Sequence, residues 1–352
     1  MKTYGFGIIG CGMISDFHSA AIDELENGKL VAVSSRNPDN ARRVADRYNV
    51  DWYTDYNEML KRDDLDIVNI CSPSGAHKEP AVAAAEAGKH VIVEKPLEIT
   101  LERCDAIIEA CDRAGVTLCA IFPSRFSDCN QLVKKTIDSG RFGRLVLGDA
   151  YVKWYRTQEY YDSGGWRGTW ELDGGGALMN QSIHAIDTLQ WFMGPVKSVQ
   201  AFCDTLAHKR IEVEDVAVAA LRFENGAFGV IEGTTSAYPG LLKKLEISGS
   251  KGTVILEEVD ILRWEFDPPI PEDEEVRKRF AQKRSGGGGA SDPRAISHEN
   301  HRRQMADMLQ ALDENRAPLV EGREGRKAVE IILAIYKSSR EGKLVNLPLS
   351  VE

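Results

Sequence analysis

The chain has 352 residues, of which 43% are hydrophobic and 28% charged, and its mean hydropathy is −0.31. At roughly 150 residues per domain this length predicts about two domains, and the composition excludes disorder for the bulk of the chain. The net charge is −10 and no long basic run interrupts it, which argues against nucleic-acid and anionic-membrane partners. No apolar run approaches the roughly 18 residues of a membrane span, and no signal-peptide pattern opens the sequence, so we expect a cytoplasmic protein.

The cysteines and histidines argue against disulfides and against a bound metal ion. The seven cysteines are an odd number without a CxxC pair, and the seven histidines form no HExxH motif or paired cluster. We therefore expect reduced thiols and no metal site.

From residue 4 to about residue 122, short apolar runs alternate with amphipathic stretches. The runs are FGIIG, KLVAVSS, DIVNICS, HVIVEK and VTLCAIF, and the helical patterns between them include Pro38–Tyr48, His77–Gly88 and Leu101–Gly115. Strands that alternate with helices favour a parallel sheet with crossover helices, and continuous apolar strands fit a sheet covered on both faces. We predict a doubly wound α/β domain over residues 1–123.

The pattern changes after residue 123. Several longer runs with short turns between them predict strands, and Asn225-Gly226 and the segment 248–252 carry hairpin signals. For residues 124–296 we predict a domain with an antiparallel sheet and few helices, in which the Pro- and Gly-rich segment 267–293 is an exposed, flexible loop. The closing part, residues 297–352, contains two helical patterns, Ser297–Asn315 and Arg323–Arg340.

A glycine-rich turn follows the first predicted strand and opens a helix. The segment GCGMIS at 10–15 matches most of a GxGxxG pattern, with Ser15 in place of the third glycine or alanine. The glycines allow a tight turn and a close approach of the backbone to a pyrophosphate, which the helix dipole attracts. We predict a dinucleotide site with contacts from Gly10, Gly12, Met13 and Ile14.

The residues after the second predicted strand bear on which dinucleotide binds. This strand ends in Ser35 and Arg36 and lacks the Asp or Glu that binds the 2′-hydroxyl of NAD. A hydroxyl and a guanidinium suit the 2′-phosphate of NADP, so we predict NAD(P) as the cofactor, with NADP favoured. The alternative is that Arg36 faces solvent and Ser35 is a neutral strand end.

Two motifs further along the chain resemble those of a known family. Glu94-Lys95-Pro96 follows the strand HVIV, and a triple glycine at 174–176 leads to His184 and Asp187. In this order they resemble the glucose–fructose oxidoreductase / inositol dehydrogenase / rhizopine-catabolism family (Gfo/Idh/MocA), and the resemblance covers almost the whole chain. Further matching segments are Cys71-Ser72-Pro73 with His77, Glu214-Asp215, Gly249–Gly252, and the helices that begin near His298 and His301.

The resemblance implies a fold, an activity and an assembly. The fold is α/β, with an N-terminal Rossmann dinucleotide-binding domain and a C-terminal α+β domain that has a large, open, mostly antiparallel sheet. The activity is NAD(P)-dependent oxidation or reduction of a sugar, sugar derivative or cyclitol, in a homodimer or homotetramer. The matching cofactor contacts are Cys71, Ser72, Pro73, His77, Glu94, Lys95 and Pro96.

Lys95 is the residue that the family match assigns to acid/base chemistry. Oxidising a secondary alcohol takes a base for the hydroxyl proton while hydride leaves for the nicotinamide ring. A lysine at the carboxyl end of a parallel strand lies at the crevice where ligands bind, and partial burial beside a nicotinamide cation favours its neutral form. The alternative for such a lysine is a solvated charge or an ion-pair partner for Glu94.

Asn180, His184 and Asp187 are spaced i, i+4 and i+7, which places them on one face of a predicted helix. His184 matches the family's catalytic histidine, whereas many members have Asp where this chain has Asn180. Because an amide cannot accept a proton at working pH, we expect Lys95 and His184 to transfer protons and Asn180 to hydrogen-bond the substrate. Alternatively, Asn180 marks a member without dehydrogenase activity. Asp187 either orients His184 or is structural.

Six of the 17 residues from Trp154 to Trp170 are aromatic, against 8% of the whole chain. Aromatic faces stack on the apolar faces of sugar rings, and Arg156 or Arg167 can hold a carboxylate or phosphate through paired hydrogen bonds. We predict that Tyr160, Trp166 and Arg167 line the substrate pocket together with Lys95, Asn180 and His184. The alternative is a subunit or domain interface.

The sequence thus predicts an NAD(P)-dependent sugar or cyclitol dehydrogenase or, where NADPH is the working partner, a ketosugar reductase. Two other classes stay open: a non-redox sensor that binds a dinucleotide, and a glycosidase that uses NAD transiently. Retention of Lys95 and His184 argues against the sensor. Net reduction of the cofactor by a free sugar separates the dehydrogenase from the glycosidase.

Overall fold

The computed structural model describes residues 2–280 and 297–350. The chain divides into two compact units, each made of more than one stretch of sequence. The first unit consists of Met1–Pro123, Glu171–Gly174 and Ser297–Val329. The second unit consists of Ser124–Trp170, Gly175–Ile296 and Glu330–Glu352.

The first unit contains a parallel, six-stranded sheet of the order β3-β2-β1-β4-β5-β6. Five strands arise from the five apolar runs, and the short β3 is an addition that the sequence pattern did not indicate, because its residues Asp51 and Trp52 are exposed. The strands are β1 Tyr4–Ile9, β2 Gly28–Ser34, β3 Asp51–Tyr53, β4 Ile67–Ile70, β5 His90–Val93 and β6 Leu118–Ala120. The predicted doubly wound α/β architecture is confirmed.

Helices cross between these strands and carry the expected end signals. Asn37 caps the second helix with Pro38 at its first position, and Thr100 caps the fifth, which ends at Gly115 in the left-handed conformation. The helices are α1 Met13–Asp23, α2 Pro38–Tyr48, α3 Tyr56–Leu60, α4 Lys78–Glu86, α5 Leu101–Ala114 and, late in the chain, α10 Glu299–Glu314. Met305, Met308 and Leu309 of α10 pack into the same hydrophobic core as Phe6 and Ile8 of β1, which explains why this C-terminal helix belongs to the first unit.

The second unit contains an eight-stranded sheet of the order β13-β12-β11-β7-β10-β9-β8-β14. Within the described residues β7 and β10 pair in parallel and the other neighbours pair antiparallel, as the family resemblance implied. The strands are β7 Leu145–Lys153, β8 Val196–Asp204, β9 Val216–Phe223, β10 Phe228–Thr234, β11 Lys244–Gly249, β12 Gly252–Glu257, β13 Asp260–Phe266 and β14 Val345–Asn346. Both predicted hairpins form, and Gly226 takes the positive φ of 89° that its turn requires.

One of the helices of the second unit, α9 (Pro271–Phe280), differs from the sequence pattern. The helices are α6 Asp128–Asp138, α7 Gln158–Asp162, a π-helical turn Ala177–Ser182, α8 Ile183–Met193 and α9 Pro271–Phe280, followed by α11 Gly322–Glu341, which spans the division between the units. The prediction of a flexible loop at 267–293 is wrong for α9. A proline at the first position, acidic residues in the first turn and basic residues in the last turn favour that helix, and Phe280 anchors it. Residues 281–293 lie outside the described part.

Across residues 2–280 and 297–350, none of the helices combines the length and apolar character needed to traverse a lipid bilayer.

Candidate active site

The glycine turn between β1 and α1 is open towards the start of the helix. A side chain on Gly10, which has a φ of 100°, would lie 2.6 Å from the backbone of Cys71, whereas a Cβ on Gly12 would meet no atom within 4 Å. Ser15 in the third glycine position is fully buried, and its hydroxyl donates a hydrogen bond to the Gly12 carbonyl at 2.6 Å. The described residues provide no side-chain cap for α1, so the turn presents backbone N–H groups and free space to an anion. Met13 and Ile14 form the first residues of the helix.

The other residues predicted to bind the cofactor lie at the carboxyl ends of β2, β4 and β5. These strands and β1 are neighbours in the sheet, and the strand order reverses between β1 and β4, where such folds bind their ligands. Ser35 accepts a weak hydrogen bond from the Asn37 backbone at 3.3 Å, and Arg36 is exposed. Arg43 of α2, which sequence reasoning missed, donates a hydrogen bond to the Cys11 carbonyl within the glycine turn at 3.2 Å.

His77 joins two of these strand ends. Its ring nitrogens lie 2.9 Å from the carbonyl oxygens of Ser72, after β4, and Pro96, after β5. The ring is 1% exposed, so it contacts the backbone of both loops from inside the unit. Cys71 is buried in the same loop, which continues through Pro73.

Glu94 lies in a buried hydrogen-bonded cluster directly before Lys95. Its carboxylate accepts from the Lys95 amide at 2.9 Å and from His18 Nε2 at 2.8 Å, and the amide of Asn69 donates to His18 Nδ1 at 2.8 Å. Burial raises the pKa of Glu94, but the hydrogen bonds from His18 and His301 outweigh it and hold that pKa well below its usual value. Burial lowers the pKa of His18, so a neutral ring donates to an ionised carboxylate.

His18, Glu94 and His301 also form a group with metal-ligand chemistry. Among the described residues it is the one set of three such side chains close together, with candidate ligand atoms within 4.8 Å of one another. Hydrogen bonds engage both nitrogens of His18, which accounts for the proximity without an ion. His18 was not identified from the sequence, because a single histidine on the apolar face of a helix gives no local signal.

In the second unit, the stretch after the triple glycine is a π-helical turn followed by α8. The i, i+4, i+7 spacing predicts one continuous α-helix, which is wrong for the first part of this stretch. Two of the three predicted positions, Asn180 and His184, are partly exposed, whereas the third, Asp187, is buried. From Ala177 to Gln190 every residue is buried except Asn180 and His184. A π turn is a rare element that occurs frequently at functional sites.

Asp187 is fully buried and forms an ion pair with Arg125. Its two carboxylate oxygens accept hydrogen bonds from Arg125 Nη2 at 2.7 Å and Nε at 2.9 Å. Asp187 was expected either to orient His184 or to be structural. The ion pair supports the structural role, and its partner Arg125 lies 62 residues away in sequence.

The aromatic segment of the second unit forms a connected cluster around Tyr160. The guanidinium carbons of Arg156 and Arg167 lie 5.5 and 4.8 Å from the centre of the Tyr160 ring. Gln181 accepts from Arg156 at 2.8 Å and donates to the Tyr160 hydroxyl at 3.0 Å and to the Asn180 side chain at 3.2 Å. Gln181, which sequence reasoning missed, thus links the predicted sugar-binding residues to Asn180.

Arg167 is the arginine of this cluster that is available to an external anion. Arg156 is buried and its guanidinium is engaged by Gln181 and the Tyr155 carbonyl, whereas Arg167 is half-buried and also lies 5.2 Å from the ring centre of Trp166. The contact between Arg167 and the Ser163 hydroxyl is long, at 3.4 Å. Planar rings and a guanidinium at one place suit a sugar that carries a negative charge.

Comparisons with known proteins agree with this architecture. Residues 4–122 match a family model described as an oxidoreductase family with an NAD-binding Rossmann fold, and residues 130–255 match the Gfo/Idh/MocA C-terminal domain. The myo-inositol 2-dehydrogenase of Thermotoga maritima is 30% identical over 262 residues, which cover 72% of this chain and 75% of that protein. Levoglucosan dehydrogenase of Pseudarthrobacter phenanthrenivorans is 28% identical over 291 residues, 72% of this chain and 74% of that protein.

Two solved structures are similar over nearly the whole chain. The WlbA dehydrogenase from Bordetella pertussis, in complex with NADH and UDP-GlcNAcA, is 37% identical with a TM-score of 0.90 and 99% coverage of both chains. The WlbA enzyme from Chromobacterium violaceum, with the same two ligands, is 34% identical with a TM-score of 0.89, covering 99% of this chain and 97% of that one. Together with the glycine turn, the Glu94-Lys95-Pro96 motif and the two sheets, these matches show that the chain belongs to the Gfo/Idh/MocA family of NAD-binding oxidoreductases.

Proposed function

We propose that this oxidoreductase transfers hydride between a nicotinamide cofactor and a secondary hydroxyl of a nucleotide-linked sugar acid. The observation that carries the proposal is the cluster of Tyr160 with Arg167 and Arg156, which Gln181 connects to Asn180. Two similar structures were solved with NADH and UDP-GlcNAcA, a ligand with a carboxylate and two phosphates, and Arg167 is the arginine of this cluster that is available to such an anion. A neutral sugar or cyclitol, as for the inositol and levoglucosan dehydrogenases, is the second candidate.

The residues of the first unit fit the dinucleotide that the family binds. The uncapped start of α1 and the free space beside Gly12 accommodate a pyrophosphate, and the loops after β4 and β5 flank the same end of the sheet. When bound, the nicotinamide ring supplies a hydride acceptor or donor. We assign Glu94 and His77 to fixing the backbone around Lys95, because they hold the Lys95 amide and the Pro96 carbonyl.

The chain's own residues then handle the proton and the substrate. Lys95 Nζ takes the hydroxyl proton as the alcohol is oxidised and returns it in the reverse direction. His184 is a second group able to accept and donate a proton, and Asn180 holds a substrate hydroxyl through its amide. Arg167 binds the negative charge of the sugar acid, and Tyr160 and Trp166 provide apolar faces for the ring.

We also propose that the adenosine end favours NADP(H) over NAD(H). No carboxylate follows β2 at Ser35 or Arg36, so a 2′-phosphate meets a hydroxyl and an exposed guanidinium. Arg43 adds a second guanidinium near the glycine turn. The similar WlbA structures hold NADH, which makes the comparison of the two cofactors a direct test.

A homo-oligomer formed through the outer face of the second unit's sheet is a further part of the proposal. Phe202, Val218 and Phe228 are 78, 45 and 51% exposed, and cross-strand pairing puts Phe202 beside Val218 and Phe228 beside the partly exposed Leu147. An apolar face of this kind favours a self-complementary contact with a second copy. Replacing Val218 and Phe228 by Glu is expected to give monomers in light-scattering measurements, and unchanged mass would contradict this interface. A cytoplasmic location stays a prediction.

The function is tested by cofactor titration followed by a substrate panel. NADH and NADPH are titrated by fluorescence, and nicotinamide absorbance is then followed with UDP-GlcNAcA, UDP-GlcNAc, myo-inositol and glucose. We expect turnover of UDP-GlcNAcA, at least tenfold weaker turnover of UDP-GlcNAc, which lacks the carboxylate, and loss of that preference in Arg167→Met. Turnover of myo-inositol alone would favour the second candidate. Cofactor binding without turnover would favour a sensor, and substrate cleavage with the cofactor unchanged would favour a glycosidase.

A further inference from the structure

We infer that Glu214 is a positioning residue of the candidate active site. Its hydrogen bonds hold in place the π-helical turn that carries Asn180. The inference rests on the roles proposed above for Asn180 and His184, and it concerns residues of the second unit only. It adds a residue to which neither the family match nor the comparisons give a role.

Glu214 binds the beginning of the π turn through three successive backbone amides. Its carboxylate accepts hydrogen bonds from the Gly176 amide at 3.0 Å and the Leu178 amide at 2.8 Å. Its backbone carbonyl accepts from the amide between them, that of Ala177, at 3.0 Å. The first turn of a helix has no intrahelical acceptors for its amides, so Glu214 provides the acceptors that fix where the turn starts. The Asn180 amide bonds in turn to the Gly176 carbonyl at 3.2 Å.

Tyr336 of α11 also contacts this carboxylate. Its hydroxyl donates to Glu214 at 2.8 Å, and both side chains are buried. The glycine motif makes room for this arrangement. A Cβ on Gly176 would lie 2.0 Å from the Glu214 carbonyl oxygen, and a Cβ on Gly175 would lie 2.1 Å from the Tyr336 hydroxyl. The close approach of the turn to Glu214 and Tyr336 therefore explains why positions 175 and 176 are glycines.

The ionised form of Glu214 is the one that suits this environment. A carboxylate accepts hydrogen bonds only, and here it meets two amides and a hydroxyl, whereas a protonated carboxyl has a donor where an acceptor is needed. Burial raises the pKa of Glu214 to about 7, against the opposing effect of these hydrogen bonds. The titratable groups that face it are Tyr336 from α11 and Cys203 from β8. Burial raises the pKa of Tyr336 well above its usual value and that of Cys203 to about 12, so Glu214 is the member of this set that changes charge near neutrality.

Protonation of Glu214 is therefore expected to loosen the π turn and to displace Asn180 and His184. In the wild type, kcat/KM should fall on the acid side of about pH 7. In Glu214→Gln we expect kcat to drop roughly 10- to 100-fold and the acid limb to flatten, with NADH affinity within about twofold of the wild type. Glu212→Gln is the matched control, because Glu212 is exposed on the same segment and accepts from the Trp170 amide. Its pH profile should match that of the wild type.

Tyr336→Phe tests the hydrogen bond from the tyrosine hydroxyl while the Glu214 carboxylate is kept. This variant keeps the carboxylate and removes one donor to its ionised form, which raises the pKa of Glu214 further, so the acid limb should move to higher pH. An acid limb at the same pH in Glu214→Gln, Tyr336→Phe and the wild type would overturn the inference.

Hydrogen exchange provides a test that needs no substrate. In the folded wild type, the amides of residues 176–178 should exchange more readily below pH 7 than above it, after correction for the intrinsic pH dependence. In Glu214→Gln the same amides should exchange roughly tenfold faster at pH 8, and equal exchange in the two proteins would overturn the inference. If exchange responds as expected while the wild type turns over no sugar substrate, the proposed function fails and the structural role of Glu214 stands.

Discussion

Asp187 and Arg125 form a buried ion pair with two hydrogen bonds, at 2.7 and 2.9 Å, and neither side chain is more than 1% exposed. Asp187 follows His184 by one helical turn, and the pair therefore fixes α8 where a predicted catalytic residue lies. An ion pair this deep is costly to form but more costly to break, because removing one partner leaves the other charge buried and unpaired.

Asp187→Asn is therefore expected to lower the free energy of unfolding by about 3–5 kcal/mol, measured by urea unfolding monitored by circular dichroism. The matched control is Asp162→Asn, since Asp162 pairs with Arg210 on the surface, where its side chain is 40% exposed. We expect that change to have little effect on the free energy of unfolding, because solvent screens this pair. Equal effects of the two substitutions would show that Arg125 finds another partner or water in the variant.

Lys95→Met tests the proposed base. Removing the proton-transfer group while keeping the length of the side chain should lower kcat by roughly 10²–10⁴-fold and leave the Kd for the dinucleotide within about twofold. Lys61→Met, at a lysine whose side chain is 68% exposed and paired with Glu58, serves as the control and should change neither value. A collapse of cofactor affinity with normal turnover at saturation would make Lys95 a binding residue instead.

Asn180 and His184 should differ in how they affect the pH–rate profile. Of the two side chains only the histidine is ionisable, so His184→Gln should flatten or move one limb, whereas Asn180→Ala should raise KM and leave the profile's shape unchanged. Asn180→Asp restores the carboxylate that many family members have at this position. If that variant turns over a substrate that the wild type does not, the natural protein is a lapsed enzyme and the sensor hypothesis is favoured.

Ser35→Asp tests the cofactor preference. The wild type should bind NADPH more tightly than NADH by about 1–3 kcal/mol, which is roughly 5- to 150-fold in Kd, and the new carboxylate should repel the 2′-phosphate and reverse the order. Asn40→Asp adds a negative charge at an exposed position in the first turn of α2. It controls for the effect of an added charge on the electrostatic potential that does not depend on contact with the 2′-phosphate. Equal wild-type affinities, measured by fluorescence titration, would remove Arg36 from the site.

Asp273 should make stability depend on pH in the acid range. It is buried, accepts two hydrogen bonds from Arg141 and one from the Trp264 indole, and the hydrogen bonds from Arg141 are the main cause of its lowered pKa. Because the folded-state pKa lies below the unfolded one, the stabilisation is present above about pH 5 and is lost as pH falls towards the folded-state value. Asp273→Asn should cost on the order of 2–3 kcal/mol at pH 7 and flatten the stability–pH curve between about pH 5 and 2. Glu272→Gln, its exposed neighbour, should do neither.

Local sequence pattern was sufficient for the strands and helices whose apolar spacing repeats over several residues. The runs that became β1, β2, β4, β5 and β6 stand out because a strand covered on both faces is apolar throughout, and the glycine turn stands out because it follows the first of them. The exposed β3 has no such pattern, and α9 lies between prolines and glycines that indicate a loop, although the charges at its two ends favour a helix.

The same division holds within the candidate site. Lys95, Asn180, His184 and Tyr160 were indicated by motif and composition, which are properties of a few consecutive residues. Their supports were not, since the partners are distant in sequence. Asp187 and Arg125 are separated by 62 residues, His18 and Glu94 by 76, and Glu214 and Tyr336 by 122. A buried charge must find its partner in three dimensions, and only the packed chain shows which of many candidates it is. Chemistry-bearing residues can therefore be named from the sequence, whereas the contacts that hold them in place are decided by the tertiary structure.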